Sequence, residues 1–185
     1  MQATTKKTIL IVIASIAGLF LLAALGCYLY FIFQFTVYKD DLYKFSIKYP
    51  KSWKIIVHPH PNVAVIFLRP KDTALDTIQD NFNVTVQAQP PDIENLQQFS
   101  ARIKTQVLAV FGKNINLVED KSLHWGWREG HQIAFEEPKP DHSRMVNAWV
   151  LRSGQAYILT YFGDMNKYGQ VSLYLEEMIR SLELQ

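Results

Sequence analysis

The apolar and polar positions divide this chain into three regimes. From Thr8 to Phe35, 28 consecutive residues include no Asp, Glu, Lys, Arg or His. As a helix this run reaches about 42 Å, against a hydrocarbon core about 30 Å thick, so it predicts one membrane-spanning helix. The second regime alternates. Tyr43, Phe45, Ile47 and Tyr49 fall on one face while Lys44, Ser46 and Lys48 fall on the other, as a half-buried strand over 42–49 requires. Pro50 ends it. Trp53 to Val57 and Val63 to Leu68 read as the next strands, with His58-Pro-His-Pro61 as the loop between them. Phe82 to Ala88 is another strand, ended by Pro90 and Pro91. The third regime has helical period. Leu96, Phe99, Ile103, Val107, Val110 and Phe111 form one stripe, with Asp92 as the expected cap and Gly112 as the stop. Strands return at Ile115 to Leu123, His131 to Phe135, Arg144 to Leu151 and Ala156 to Phe162. The last two flank a hairpin turn at Arg152-Ser-Gly-Gln155. Val171, Tyr174, Leu175, Met178, Ile179 and Leu182 share one face of a closing helix. The sum is an α+β domain, a mainly antiparallel sheet with helices supplied mid-chain and at the end.

The organisation expected is a short tail (1–7), an anchor (8–35), a hinge (36–41) and a globular domain (42–185). A cleaved signal normally has an apolar core of about 7–15 residues, shorter than this run. Ala24-Leu-Gly-Cys27 resembles a bacterial lipobox, but cleavage before Cys27 would leave Tyr28-Leu-Tyr-Phe-Ile-Phe33 where a polar tether belongs. A retained single-pass helix is therefore the reading. Lys6 and Lys7 favour a cytoplasmic N-terminus. The lysines at 39, 44, 48, 51 and 54 count the other way, yet long trailing domains cross largely regardless of charge. The expected topology is a bacterial inner-membrane protein with a periplasmic domain. Ala14 and Gly18 have the small-x-x-x-small spacing of close helix packing.

Charge narrows the partners. All 17 acidic residues lie beyond the span, with every Lys and Arg except Lys6 and Lys7, so residues 38–185 carry a formal charge of zero. A nucleic-acid binder would show a basic excess. The single cysteine, Cys27, lies in the span, so the domain has no disulfide, thiolate nucleophile or cysteine metal site. No cofactor motif is present: there is neither a Gly-x-x-x-x-Gly-Lys-Ser/Thr loop nor Gly-x-Gly-x-x-Gly.

Three places carry a family likeness. These are Tyr43-Lys-Phe-Ser-Ile-Lys-Tyr-Pro-Lys-Ser-Trp53, Asn83-Val-Thr-Val86 leading into the first long helix, and the closing Met178-Ile-Arg-Ser-Leu182. Together with the order of elements, they resemble the PsbP-like family over most of residues 40–184. That family includes bacterial lipoproteins, membrane-anchored periplasmic domains and a nuclear import factor. The resemblance implies an α/β/α sandwich around an antiparallel sheet. It also implies a non-enzymatic binding or assembly role, with no site to carry over.

Candidate chemistry is sparse. Asp141-His-Ser143 has triad residue types but no Gly-x-Ser-x-Gly elbow, and neighbours on a loop rarely converge. His58 and His60, stiffened by Pro59 and Pro61, are weak metal candidates, and His131, Glu137 and His142 would have to complete a site. Trp125-Gly-Trp127-Arg128 is the most informative cluster. It is either two tryptophans at the core edge of a hairpin or a partner-binding hot spot, since Trp and Arg are favoured at such spots. The loop from Glu136 to His142 reads as solvated. The expected function is a membrane-anchored, non-enzymatic interaction or assembly module of a cell-envelope complex, such as a secretion machine. The alternative is an extracytoplasmic ligand- or metal-binding domain.

Overall fold

The apolar run folds as helix α1 (Gln2–Phe33). In this computed structural model residues 2–73, 78–112, 115–137 and 142–185 are described, those at 2–15 and Phe111 by backbone alone. Ile16–Phe33 is long and apolar enough to cross a membrane, and none of it is buried inside the protein. Leu19, Phe20, Leu21 and Leu22 are all exposed. A helix apolar on every side has no face for water, which suits it to lipid. Ala14 and Gly18 both lie on α1, the side chain of Ala14 outside the described residues.

Residues 37–185 form the second unit, which holds two sheets apart from the first two residues of one strand. The smaller is ordered β1 (Phe35–Asp40), β2 (Phe45–Pro50) and β10 (Glu183–Leu184). The segment expected as a hinge is thus mostly strand. Its polar residues do not make it a linker, because Asp40 is buried and organises the turn that follows. That turn delays the second strand to Phe45, with Lys44 at φ 56°. Phe45 and Ile47 are fully buried, as the alternation predicts.

The larger sheet has seven strands: β3 (Lys54–His60), β4 (Val63–Leu68), β5 (Asn81–Ala88), β6 (Asn116–Trp125), β7 (Arg128–Glu137), β8 (Ser143–Arg152) and β9 (Gln155–Asp164). Their order is β3-β4-β5-β9-β8-β7-β6, and every pair is antiparallel. His58-Pro-His60 is not a loop. It continues β3 through a bulge between Val57 and His60, with His58 at φ 47°. Proline is tolerated there because β3 is an edge strand whose outer N–H groups need no partner. The β8–β9 turn holds Ser153 at φ 50° and Gly154 at φ 75°, the pair of positive angles that a tight hairpin demands.

Period-two alternation sends the two faces of this sheet to different partners. One face meets α2 (Leu96–Phe111) through Phe99, Ile133, Phe135, Trp149 and Ala156. Trp149 is fully buried, and its indole N–H donates to Ser100 Oγ at 2.9 Å. The opposite face meets α3 (Tyr168–Arg180) and the smaller sheet. There Tyr49 stacks near Phe67 (4.7 Å between centroids), Phe45 meets Tyr157 (6.3 Å), and Val171, Leu175, Met178 and Ile179 are buried. Helix, sheet, then helix with small sheet are the layers of the expected sandwich.

Three local expectations are corrected. The cap of α2 is Asn95, whose side chain accepts from the Gln98 N–H at 3.0 Å, while Asp92 pairs with Arg102. A turn closed by the Ile93 N–H on the Pro90 carbonyl (3.0 Å) comes first, and the helix starts only after Asn95. Val110 is exposed, although helical spacing keeps it on the stripe with Phe99 and Ile103. Finally, the chain does not stop at the closing helix. Leu182 is buried and Glu183–Leu184 pairs with Ser46 and Phe45, so the C-terminal residues complete the smaller sheet.

Candidate docking surface

Strands β6 and β7 meet in a two-residue turn, Gly126-Trp127, with Gly126 at φ 62°. Strand alternation would put residues 125 and 127 on one face; the turn at Gly126 breaks that pattern, and the two indoles go opposite ways. Trp125 turns inward and is only 8% exposed; its N–H donates to the Ile179 carbonyl at 2.5 Å. That carbonyl belongs to the last turn of α3 and also accepts from the Leu182 N–H at 3.4 Å. The Trp125 ring lies on Gly130. A methyl group there would collide with the ring and with the Trp149 carbonyl, so glycine is needed. Trp127 turns outward and is 82% exposed. Arg128 lies over it with its guanidinium carbon 4.1 Å from the ring centroid, worth about 0.5–1 kcal/mol at an exposed site. The core-edge reading thus holds for Trp125 and not for Trp127, which is exposed. Beside the tip, the Tyr157 hydroxyl donates to the Tyr43 carbonyl at 2.9 Å.

A second polar cluster centres on Asp40. Its Oδ1 accepts from the backbone of Leu42 (3.0 Å) and Tyr43 (2.9 Å), and its Oδ2 from the Tyr38 hydroxyl (2.8 Å) and faces His58 Nε2 (2.9 Å). Burial opposes the charge on Asp40, but these hydrogen bonds outweigh it and hold the carboxyl below the usual carboxylate range. Burial and the Asp40 carboxylate push the Tyr38 phenol far above its ordinary value. His58 is thus engaged by Asp40, while His60 lies two residues on in the same edge strand. Among the described residues no group of three or more His, Cys, Asp and Glu has the spacing to hold a metal ion.

A third cluster lines an open groove of about 700 Å³ between α2 and the β6–β7 hairpin, walled by Ser100, Lys104, Ser122, Glu129 and His131. Asp120 accepts from Lys104 and faces His131 Nε2, both at 2.6 Å. The Lys104 hydrogen bond is the main reason its carboxyl sits below the ordinary range. Ser122 stands opposite His131 in the ladder. Asp141 of the triad read from sequence lies outside the described residues. His142 is exposed at φ 48°, and Ser143 is buried with its hydroxyl donating to Glu137 Oε2 at 3.3 Å. Sequence reading did not find Asp40 or the Asp120–His131–Lys104 group, since their members come together only through strand pairing and helix packing.

No family model matches this chain, and no curated protein matches its sequence. Solved structures do. The solution structure of cyanobacterial PsbP from Synechocystis aligns with a TM-score of 0.61 at 12% identity, over 82% of this chain and 93% of that one. The fold is PsbP-like. LpqN of Mycobacterium tuberculosis, described as involved in cell envelope biogenesis, aligns at 0.58 and 8% identity, over 82% and 91% of the two chains. The Saccharomyces cerevisiae Ran-binding protein Mog1p aligns at 0.57 and 9%, over 81% and 95%. At these identities the likeness is one of fold. It agrees with the family resemblance of the opening aromatic strand and the closing helix. The PsbP-like fold leaves the β6–β7 tip of this chain to be judged on its own residues.

Proposed function

We propose that this protein is a non-enzymatic, membrane-anchored interaction module of the cell envelope. In this reading the tail is cytoplasmic, α1 spans the membrane, and the domain is extracytoplasmic and docks a protein partner through Trp127 and Arg128. The observation that carries the reading is Trp127, a large aromatic 82% exposed on a turn whose neighbour Trp125 is locked into the core. Trp and Arg are the residue types that dominate interface energetics when a partner covers them. Anchoring adds to this by confining the domain near membrane complexes, which raises its effective concentration there. That one PsbP-like protein is described as Ran-binding and another as involved in cell envelope biogenesis supports the reading by analogy of fold.

The test is affinity purification of the full-length protein from detergent-solubilised membranes. A stoichiometric partner is expected with the native chain and not with Trp127→Ala; equal recovery by both would refute the docking role. Topology is read with Lys51→Cys and a membrane-impermeant maleimide. Labelling in cells with a permeabilised outer membrane is expected, and labelling only after lysis contradicts the orientation.

The groove walled by Lys104, Glu129 and His131 favours a second reading, an extracytoplasmic ligand-binding domain. This reading expects a raised melting temperature when a small anionic or zwitterionic compound is added, since selective binding to the folded form stabilises it.

A further inference from the structure

Two arginines share the docking tip. The β7–β8 ladder pairs Gly130 with Val150. That ladder ends there, and two residues beyond it on each strand stand Arg128 and Arg152, on the side of Tyr157, which pairs with Val150. Both guanidiniums act on the Tyr157 phenol, offsetting part of the rise that burial imposes on it. Two cations held near one phenol repel each other unless something negative lies between them. Among the described residues neither arginine has a carboxylate partner, whereas Arg69, Arg102 and Arg144 each do. Arg152 Nη1 is buried with no acceptor at all. A buried, unsatisfied donor on a cation is costly, so the pair is arranged for an acceptor that arrives from outside.

We infer that Arg128 and Arg152 together receive a carboxylate of the protein partner, an Asp or Glu side chain next to an apolar residue that packs on Trp127. This rests on the docking reading and names its chemistry. Planar guanidiniums match a carboxylate by paired N–H···O bonds, which gives direction as well as charge. A protein carboxylate suits the tip better than a lipid phosphate surface. The domain's formal charge of zero supplies no long-range pull toward an anionic bilayer.

The experiment uses the full-length protein in phosphatidylcholine nanodiscs and follows the Trp127 indole N–H by NMR. Two probes are added, the blocked peptide acetyl-Ala-Phe-Glu-Ala-amide and its Gln counterpart. The Glu peptide should shift the resonance and bind at least about tenfold more tightly than the Gln peptide, and Arg128→Gln and Arg152→Gln should each remove most of that preference. Arg128 is at the surface, so its variant remains informative if Arg152→Gln loses the fold by circular dichroism. No difference between Glu and Gln peptides overturns the inference. So does a shift of the Trp127 resonance on exchanging the discs to phosphatidylglycerol without peptide, which would assign the site to lipid phosphate. If Trp127→Ala loses the partner in purification while both arginine variants keep it, the docking reading stands and this inference alone fails.

Discussion

The two edges of the seven-stranded sheet meet the solvent in opposite ways. Edge strand β3 is closed by the chain itself. Its outer end carries Pro59, which has no N–H, beside a bulge and a histidine at positive φ that is tied to the buried Asp40. These are the devices that stop a strand edge from recruiting another chain. Edge strand β6 runs ten residues without proline, has a bulge between Leu117 and Glu119, pairs regularly from there to Trp125, and leads into the turn that carries the exposed Trp127. Charges at Glu119, Asp120 and Lys121 still guard its middle, so it is the tip that stays open. The contrast shows where this domain commits its polar and aromatic groups internally and where it leaves them exposed.

The largest effect that sharpens the contrast separates the two tryptophans. Trp125→Ala removes a buried indole and its bond to Ile179, and should cost about 3–5 kcal/mol in denaturant unfolding. Trp127→Ala should stay within about 0.5 kcal/mol of the native chain, as surface changes do. Equal losses would mean that Trp127 is structural and that the open edge is no more available than the closed one. Next in size is Gly130→Ala, which forces a methyl group against the Trp125 ring and should cost about 1–3 kcal/mol.

The closed edge is tested through Asp40. Asp40→Asn should cost about 1–3 kcal/mol at neutral pH, because the buried site is built around a charged acceptor. The folded-state carboxyl lies below its unfolded value, so its contribution is complete above about pH 4 and is lost as pH falls through the folded value. The gap in melting temperature between native and Asp40→Asn chains should therefore narrow on acidification below that range. A gap that is constant or widens would show that Asp40 does not carry the edge as a charge. The smallest effect is Pro59→Ala, expected to change stability by less than about 1 kcal/mol while restoring an N–H to the edge. Concentration-dependent association of this variant in size-exclusion chromatography would confirm that proline guards β3, and unchanged elution would place the protection in the bulge.

Much of the fold was legible because burial imposes a period. Phe45 and Ile47 alternate into the core, and Val171, Leu175, Met178 and Ile179 mark the inner face of α3 as helical spacing predicts. What was not legible depended on long-range pairing. Glu183–Leu184 is too short to announce a strand and exists because β2 offers it a ladder. His58-Pro-His60 carries loop residues, yet an edge position tolerates them. Residues 36–41 look like a polar linker until Asp40 is seen to be an internal acceptor. At the docking tip, sequence supplied the residue types at 125, 127 and 128. Which indole turns outward depended on the turn at Gly126, and that Arg128 and Arg152 both lie near Tyr157 depended on the pairing of β7, β8 and β9.

The central claim is that the β6–β7 tip contacts a partner in the membrane setting. The most direct measurement is photo-crosslinking of the full-length protein in intact membranes, with a benzoyl-phenylalanine placed at 127 and, as a control, at the exposed Leu173 on α3. The account predicts one discrete crosslinked species from position 127, reduced by Arg128→Gln, and none of that mass from position 173. Equal crosslinking from both positions, or none from 127 above background, would contradict it.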